Sequence, residues 1–281
     1  MSRHLVVTAD DVGLHPGMTQ GALEAHERGI VTACSVVAGG RDFPRAVELL
    51  RDRPSLAVGV HLTLVGGRPL SPAAKVPSLV TRNGVFLPAF GPFLRRYYAG
   101  RIHLNEVERE LRLQIDAVLG AGLAVRHANG HQHLHVLPRV YEAVLRLADE
   151  YAIGFVRTPM DRQPRRVPLP RRLAVFALSR FGKAAHRRAQ HHPRLRAGDA
   201  TIGIAEAGHL TRERITKLLP MVGGLTELVC HPGAGERAIA AEFPWGYEWE
   251  IEMRTLCDPA LRRAIREAGI TLVSPAELPI S

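Results

Sequence analysis

Short apolar runs of strand length alternate with segments of helical spacing along most of the chain, and this alternation limits the fold more than any other feature. Strand-like runs occupy 5–9, 33–38, 57–64, 124–128, 153–156, 226–230 and 270–273. Helical spacing occupies 18–26, 43–50, 106–119, 138–151 and 259–268, and Thr211 reads as a cap ahead of Ile215, Leu218 and Leu219. Repeated strand–helix alternation predicts parallel βαβ units. With 281 residues, 46% of them hydrophobic, the chain is long enough to bury a large core. The expected fold class is α/β: an irregular (β/α) TIM-like barrel forming one domain over 1–281, with an open doubly wound sheet as the alternative. Two stretches break the rhythm. The first, 69–102, predicts a long loop or lid. The second, 162–198, predicts a basic helical insertion whose middle, 170–189, carries Leu173, Phe176, Ala177 and Phe181 on one side.

Ligand-type side chains stand at or just past the C-terminal ends of the predicted strands: Asp10 and Asp11, His61, His131 and His231. That is the face on which barrels build their sites. One carboxylate and two imidazoles form a recurrent catalytic ligand set with positions left open for water and substrate. Asp11, His61 and His131 are therefore the candidate metal ligands. Asp10, pointing away from its neighbour along the strand, is the candidate base, and His231 the candidate acid toward a leaving group. Taken singly, an Asp pair after a strand is more often a turn or a cap; the coincidence over several strand ends carries the reading. In the cluster His131-Gln-His-Leu-His135, His133 and His135 read as residues that orient the ligand His or face the substrate. Gly-x-Ser-x-Gly, Gly-x-Gly-x-x-Gly and Walker-type signatures are absent, which argues against serine-elbow, nicotinamide and ATP chemistry. Cys230 beside His231 makes a poor nucleophile–base pair, because strand neighbours point apart.

The net charge is +10, and the stretch between Asp161 and Asp199 has no acid but holds Arg162, Arg165, Arg166, Arg171, Arg172, Arg180, Lys183, Arg187, Arg188, Arg194 and Arg196. Such a patch suits phosphate, nucleic acid or an anionic membrane face, or else is a solvated surface without a partner. The competing functional reading is accordingly a basic nucleic-acid- or membrane-binding module without catalysis. No apolar run reaches the roughly 18 residues of a membrane span, the N-terminus reads as a strand rather than a signal peptide, and 3 scattered cysteines fit a reducing cytoplasm.

Five ordered motifs, Thr8-Ala-Asp-Asp-Val-Gly13, Gly59-Val-His-Leu62 with Gly67-x-Pro69, Gly130-His-Gln-His-Leu-His135, Arg157-Thr-Pro159 and Glu227-Leu-Val-Cys-His-Pro-Gly233, resemble the signatures of the YdjC-like carbohydrate deacetylases. The resemblance runs from Leu5 to about Gly233. It implies an irregular (β/α) barrel and hydrolysis of the acetamide of an N-acetylated amino sugar. It also implies a divalent ion, usually magnesium, although imidazole ligands by themselves lean toward zinc. By matching positions it implies Asp11, His61 and His131 as ligands and Asp10 as base. Arg157 then reads as positioning the sugar, or equally as a structural ion-pair partner, and Trp245, Tyr247 and Trp249 as a sugar-stacking wall or ordinary core. Many members carry Asp-Ser-His where this chain has Asn129-Gly130-His131, and Phe where it has Val12. The aromatic tail and the basic stretch look most similar to the hopanoid biosynthesis-associated HpnK branch, which implies an N-acetylglucosaminyl hopanoid lipid, with a chitooligosaccharide as the alternative substrate. The partners then expected are an N-acetylated sugar or glycolipid and an anionic membrane at the inner face, not nucleic acid. Another metal-dependent sugar hydrolase or isomerase, and assembly as a homodimer, stay open.

Overall fold

The first apolar run becomes β1 (Arg3–Val12), the centre of an all-parallel sheet. The structure, a computed structural model, describes residues 3–161, 168–192 and 194–278. The chain continues through α1 (Pro16–Glu27), β2 (Ala33–Val36), α2 (Phe43–Arg51), β3 (Ala57–Leu62), α3 (Phe90–Tyr98), α4 (Leu104–Gly120) and β4 (His127–Gly130). Next come α5 (Pro138–Glu150), β5 (Phe155–Val156), α6 (Leu169–Ala189), β6 (Ala200–Ile202), α7 (Arg212–Leu218) and β7 (Gly224–Cys230). The last elements are α8 (Glu236–Glu242), α9 (Trp249–Leu256), α10 (Pro259–Glu267) and β8 (Thr271–Leu272).

Strand order is β5-β4-β3-β2-β1-β7-β6, every pairing parallel, with β8 paired to the start of β1. The sheet curls into a half-barrel. Among the described residues its two ends meet through single bridges, Phe155 to Arg196 and Asp161 to Thr201, so closure is irregular. Apart from β8, the strands are largely buried, as parallel sheets under helices are, and the main hydrophobic cluster runs from Leu5 on β1 to Ile270 before β8.

Three predicted features come out differently. Predicted strand 124–128 lies later, as β4, because the residues that face the barrel interior are His127 and Asn129, polar groups that local hydropathy does not mark as buried. The stretch 69–102, expected as a long loop or lid, is packed rather than irregular: it contains α3, with Val76, Leu79, Phe86 and Phe93 buried. Its turns are latched by α4: Glu110 accepts from the Leu70 and Ser71 amides at 2.9 and 2.8 Å, and Glu106 from the Ser78 amide at 2.8 Å. Of the basic stretch 162–198, residues 162–167 and 193 lie outside the described residues, Arg162, Arg165 and Arg166 among them. The rest holds α6, which packs inward through Val175, Ser179, Gly182, Ala185 and Ala189, whereas Leu173 and Phe176 are solvent-facing.

Candidate metal centre and its pocket

β1 meets β2 at Thr8↔Ala33 and Ala9↔Cys34 and resumes at Val12↔Val36, so β1 holds one more residue than β2 over this interval. The extra residue makes a bulge at Asp10-Asp11, with Asp11 in the left-handed region at φ 65°. In an unbroken strand these neighbours would point to opposite faces; a bulge re-aims side chains, and both carboxylates line one pocket. Non-glycine backbone in that region costs roughly 1–3 kcal/mol and persists where surroundings enforce it.

Asp11 Oδ1 lies 3.0 Å from His131 Nδ1 and 3.3 Å from His61 Nε2. Ligands about 2.1 Å from a common cation stand roughly 3.0–3.4 Å apart, so three such donors fit one divalent ion. The three offer ligand atoms all within 4.8 Å of one another. The hydrogen bonding around them fits the same role. His61 Nδ1 donates to Asn129 Oδ1 at 2.6 Å, which leaves Nε2, the atom facing Asp11, with its lone pair for a metal. Burial opposes charge on His61, but the carboxylates of Asp10 and Asp11 outweigh it and push its pKa up; the site as built favours positive charge.

Beside this cluster Asp10 is held by four donor atoms. Ser35 Oγ donates to Oδ1 at 2.7 Å, Asn129 Nδ2 to Oδ1 at 3.0 Å, and Arg157 to both oxygens at 2.6 and 3.0 Å. Burial would raise its pKa, but the Arg157 guanidinium, His61 and the hydrogen bonds hold it well below the usual carboxylate range. Arg157 is 0% exposed, and its Nε and Nη2 also donate to Glu227 at 2.9 Å each; Glu227 in turn accepts from Thr8 Oγ1 at 2.7 Å. Of the two readings of Arg157, the ion-pair arrangement is the one its contacts form. Four of the five guanidinium N–H groups go to these two carboxylates, and Arg157 is not among the residues that line the pocket.

His231 enters the pocket from the end of β7, its backbone N–H donating to buried Glu252 at 2.7 Å and its ring 5.2 Å from Tyr247. The 131–136 segment is neither strand nor regular helix, since Gln132 and His133 are left-handed at φ 51° and 56°. This kink turns His131 to Asp11, lines the pocket with His133, and sends His135 beneath the site, where it pairs with the Arg157 carbonyl at 3.0 Å. Burial holds His135 down at about 3, so its imidazole is neutral. Trp245 lines the pocket 5.6 Å from the His131 ring, and Tyr247 adjoins it. Trp249 does not belong to that wall: it is 1% exposed and packs with Met18 and Ile239. Cys34 and Cys230 are buried with raised pKa values, unsuited to nucleophilic chemistry. Sequence reasoning missed Ser35, Glu227 and Glu252. The one available signal was a carboxylate inside an otherwise apolar strand run, at Glu227.

The pocket, of about 540 Å³, has these polar groups on its floor and a largely apolar wall from Leu94, Val136, Val175, Leu178, Phe181 and Trp245. Fold and site together define a (β/α) half-barrel protein with a carboxylate–bis-imidazole centre at the C-terminal strand ends. The chain belongs to the YdjC-like protein family, which it matches over residues 4–267. It is 31% identical over 279 residues to the carbohydrate deacetylase of Geobacillus stearothermophilus, covering 99% of this chain and 98% of that one. It is 34% identical to the human carbohydrate deacetylase (98% and 90% covered) and 27% identical to the chitooligosaccharide deacetylase of Serratia marcescens (99% and 100%). Among solved structures it is similar to an Enterococcus faecalis V583 protein named for cellobiose-phosphate cleavage, with TM-score 0.78, 27% identity and 98% of each chain covered.

Proposed function

We propose that the chain is a metal-dependent carbohydrate N-deacetylase that hydrolyses the acetamide of an N-acetylated amino sugar. The observation that carries this reading is the convergence of Asp11, His61 and His131 on one point, with ionised Asp10 beside them and His231 in the same pocket. The family's curated relatives, named as carbohydrate and chitooligosaccharide deacetylases, support it. A divalent cation held by the three ligands would polarise a carbonyl and acidify water. Asp10 stays ionised and takes the proton of the attacking water. Asn129 and Ser35 keep its carboxylate and His61 in register, while Arg157 anchors it. His231 hands a proton to the departing amine as the C–N bond breaks, so acetate and the free amino sugar leave. Trp245 and Tyr247 give the sugar an aromatic face.

The reading extends to magnesium as the ion, with zinc as the competitor, and to a cytoplasmic enzyme acting on an N-acetylglucosaminyl hopanoid lipid or a chitooligosaccharide. Acetate release from both substrate types, after chelation and readdition of each metal, tests it. Activity is expected to vanish on chelation and in Asp11→Ala and to fall at least a hundredfold in Asp10→Asn, on the order of what a general base contributes. Chelation-insensitive turnover, or full activity in Asp11→Ala, overturns the mechanism; a product other than acetate overturns the reaction class.

A further inference from the structure

Helix α6 has two working faces. One is built into the pocket: Arg171, Ala174, Val175, Ala177, Leu178 and Phe181 line it. The other points away from the protein. At 100° per residue Leu169, Leu173 and Phe176 fall on one stripe, and Arg180, Lys183 and Arg187 continue it toward the C-terminus. The three apolar residues are 55%, 59% and 62% exposed, and all three cations are exposed. No salt bridge among the described residues holds any of the three cations, and the helix contains no acidic residue. The stripe adjoins the pocket mouth directly, because Ala174 and Ala177, which follow Leu173 and Phe176, are both exposed and pocket-lining. Across the mouth Phe90 is also pocket-lining and 50% exposed.

A solvent-facing row of large apolar side chains extended by exposed cations suits the boundary of an anionic lipid layer: the apolar part enters the headgroup region and the cations meet lipid phosphates. A nucleic acid would use the cations but leave Leu169, Leu173 and Phe176 in water. We infer that the outer stripe of α6 docks the protein on an anionic membrane surface with the mouth of its pocket at the lipid–water boundary. The docking does not depend on the proposed reaction, and it is read without turnover.

The test is cosedimentation of the full chain with phosphatidylcholine vesicles with and without phosphatidylglycerol, across a salt series. Binding is expected only to the anionic vesicles and to weaken with salt. Each cation strengthens partition by roughly fivefold at low salt, so Arg180→Glu with Lys183→Glu and Arg187→Glu abolishes it. Leu173→Ser with Phe176→Ser weakens it by roughly tenfold or more. Both variants should retain the wild-type thermal shift on metal addition, which shows an intact pocket. The inference is overturned by absence of vesicle binding in the wild type, by unchanged binding in both variants, or by a concentration-dependent dimer that Leu173→Ser with Phe176→Ser dissolves. Salt-sensitive binding to duplex DNA without vesicle binding overturns it as well.

Discussion

Asn129 joins the two halves of the site through one amide, its oxygen accepting from His61 and its nitrogen donating to Asp10. An ionised aspartate there would have no donor for Asp10. Partners of this kind typically affect metal affinity by roughly 10–100-fold, so Asn129→Leu should weaken binding by that factor in a calorimetric titration; unchanged affinity would show that His61 needs no orienting partner. Below this layer, Arg157 balances Asp10 and Glu227, all three being buried. Without Glu227 the Arg157–Asp10 pair remains, but two buried guanidinium N–H groups and the Thr8 hydroxyl lose their acceptor, and at about 1–3 kcal/mol for each buried donor left unsatisfied Glu227→Ala should cost about 3–5 kcal/mol in denaturant unfolding. The histidines add a pH dependence. Burial holds His127 at about 4 and His135 at about 3, both below the ordinary histidine value. For a depressed pKa the stabilisation is present above the unfolded value and lost as pH falls, because the unfolded chain takes up protons that the fold refuses. Below about pH 6.5 the two should together remove up to roughly 3 kcal/mol per pH unit, down to about pH 4. Unfolding free energies at pH 7, 6 and 5 check it, and a flat profile contradicts neutral burial.

At the level of elements, the bulge in β1 and the kink after β4 do the positioning, and neither has a periodic signature. Strand and helix existence was readable because burial under helices imposes apolar runs and amphipathic spacing; β6 was missed because Ala200–Ile202 is too short to form a pattern. The packing of 69–102 has no local signature because the groups that latch its turns lie elsewhere, on α4. Glu110→Ala would orphan the Leu70 and Ser71 amides, each worth about 1–3 kcal/mol when buried without a partner. Limited proteolysis within 69–102 should then speed up while the rest of the chain resists; unchanged cleavage would show that the latch is dispensable. The 208 turn has a comparable role for the aromatic wall. A Cβ on Gly208, at φ +80°, would come within 2.1 Å of the Tyr247 ring. Gly208→Ala should displace that ring and lower kcat/KM by an order of magnitude or more, on the scale of a roughly 1 Å misplacement, with little change in metal binding.

For the whole molecule, a ligand that binds only the folded chain stabilises it by mass action, about 2.7 kcal/mol at a hundred times its Kd. Magnesium or zinc should therefore raise Tm in wild type and leave Asp11→Ala unmoved, and an equal shift in both would place the ion elsewhere. The sequence by itself determined the α/β class, the polarity of the strands and which acid and imidazoles stand at strand ends, because these depend on local periodicity and on the parallel sheet presenting one end of every strand to the same face. Only the tertiary structure decided that Asp10 and Asp11 share a pocket, that Arg157 pairs with Asp10 and Glu227, and that Leu169, Leu173 and Phe176 of α6 face outward. Each of these depends on groups far apart in the chain meeting in space: a register shift against β2, an ion pair spanning 70 residues, and a helix whose small residues rather than its large ones fit the barrel.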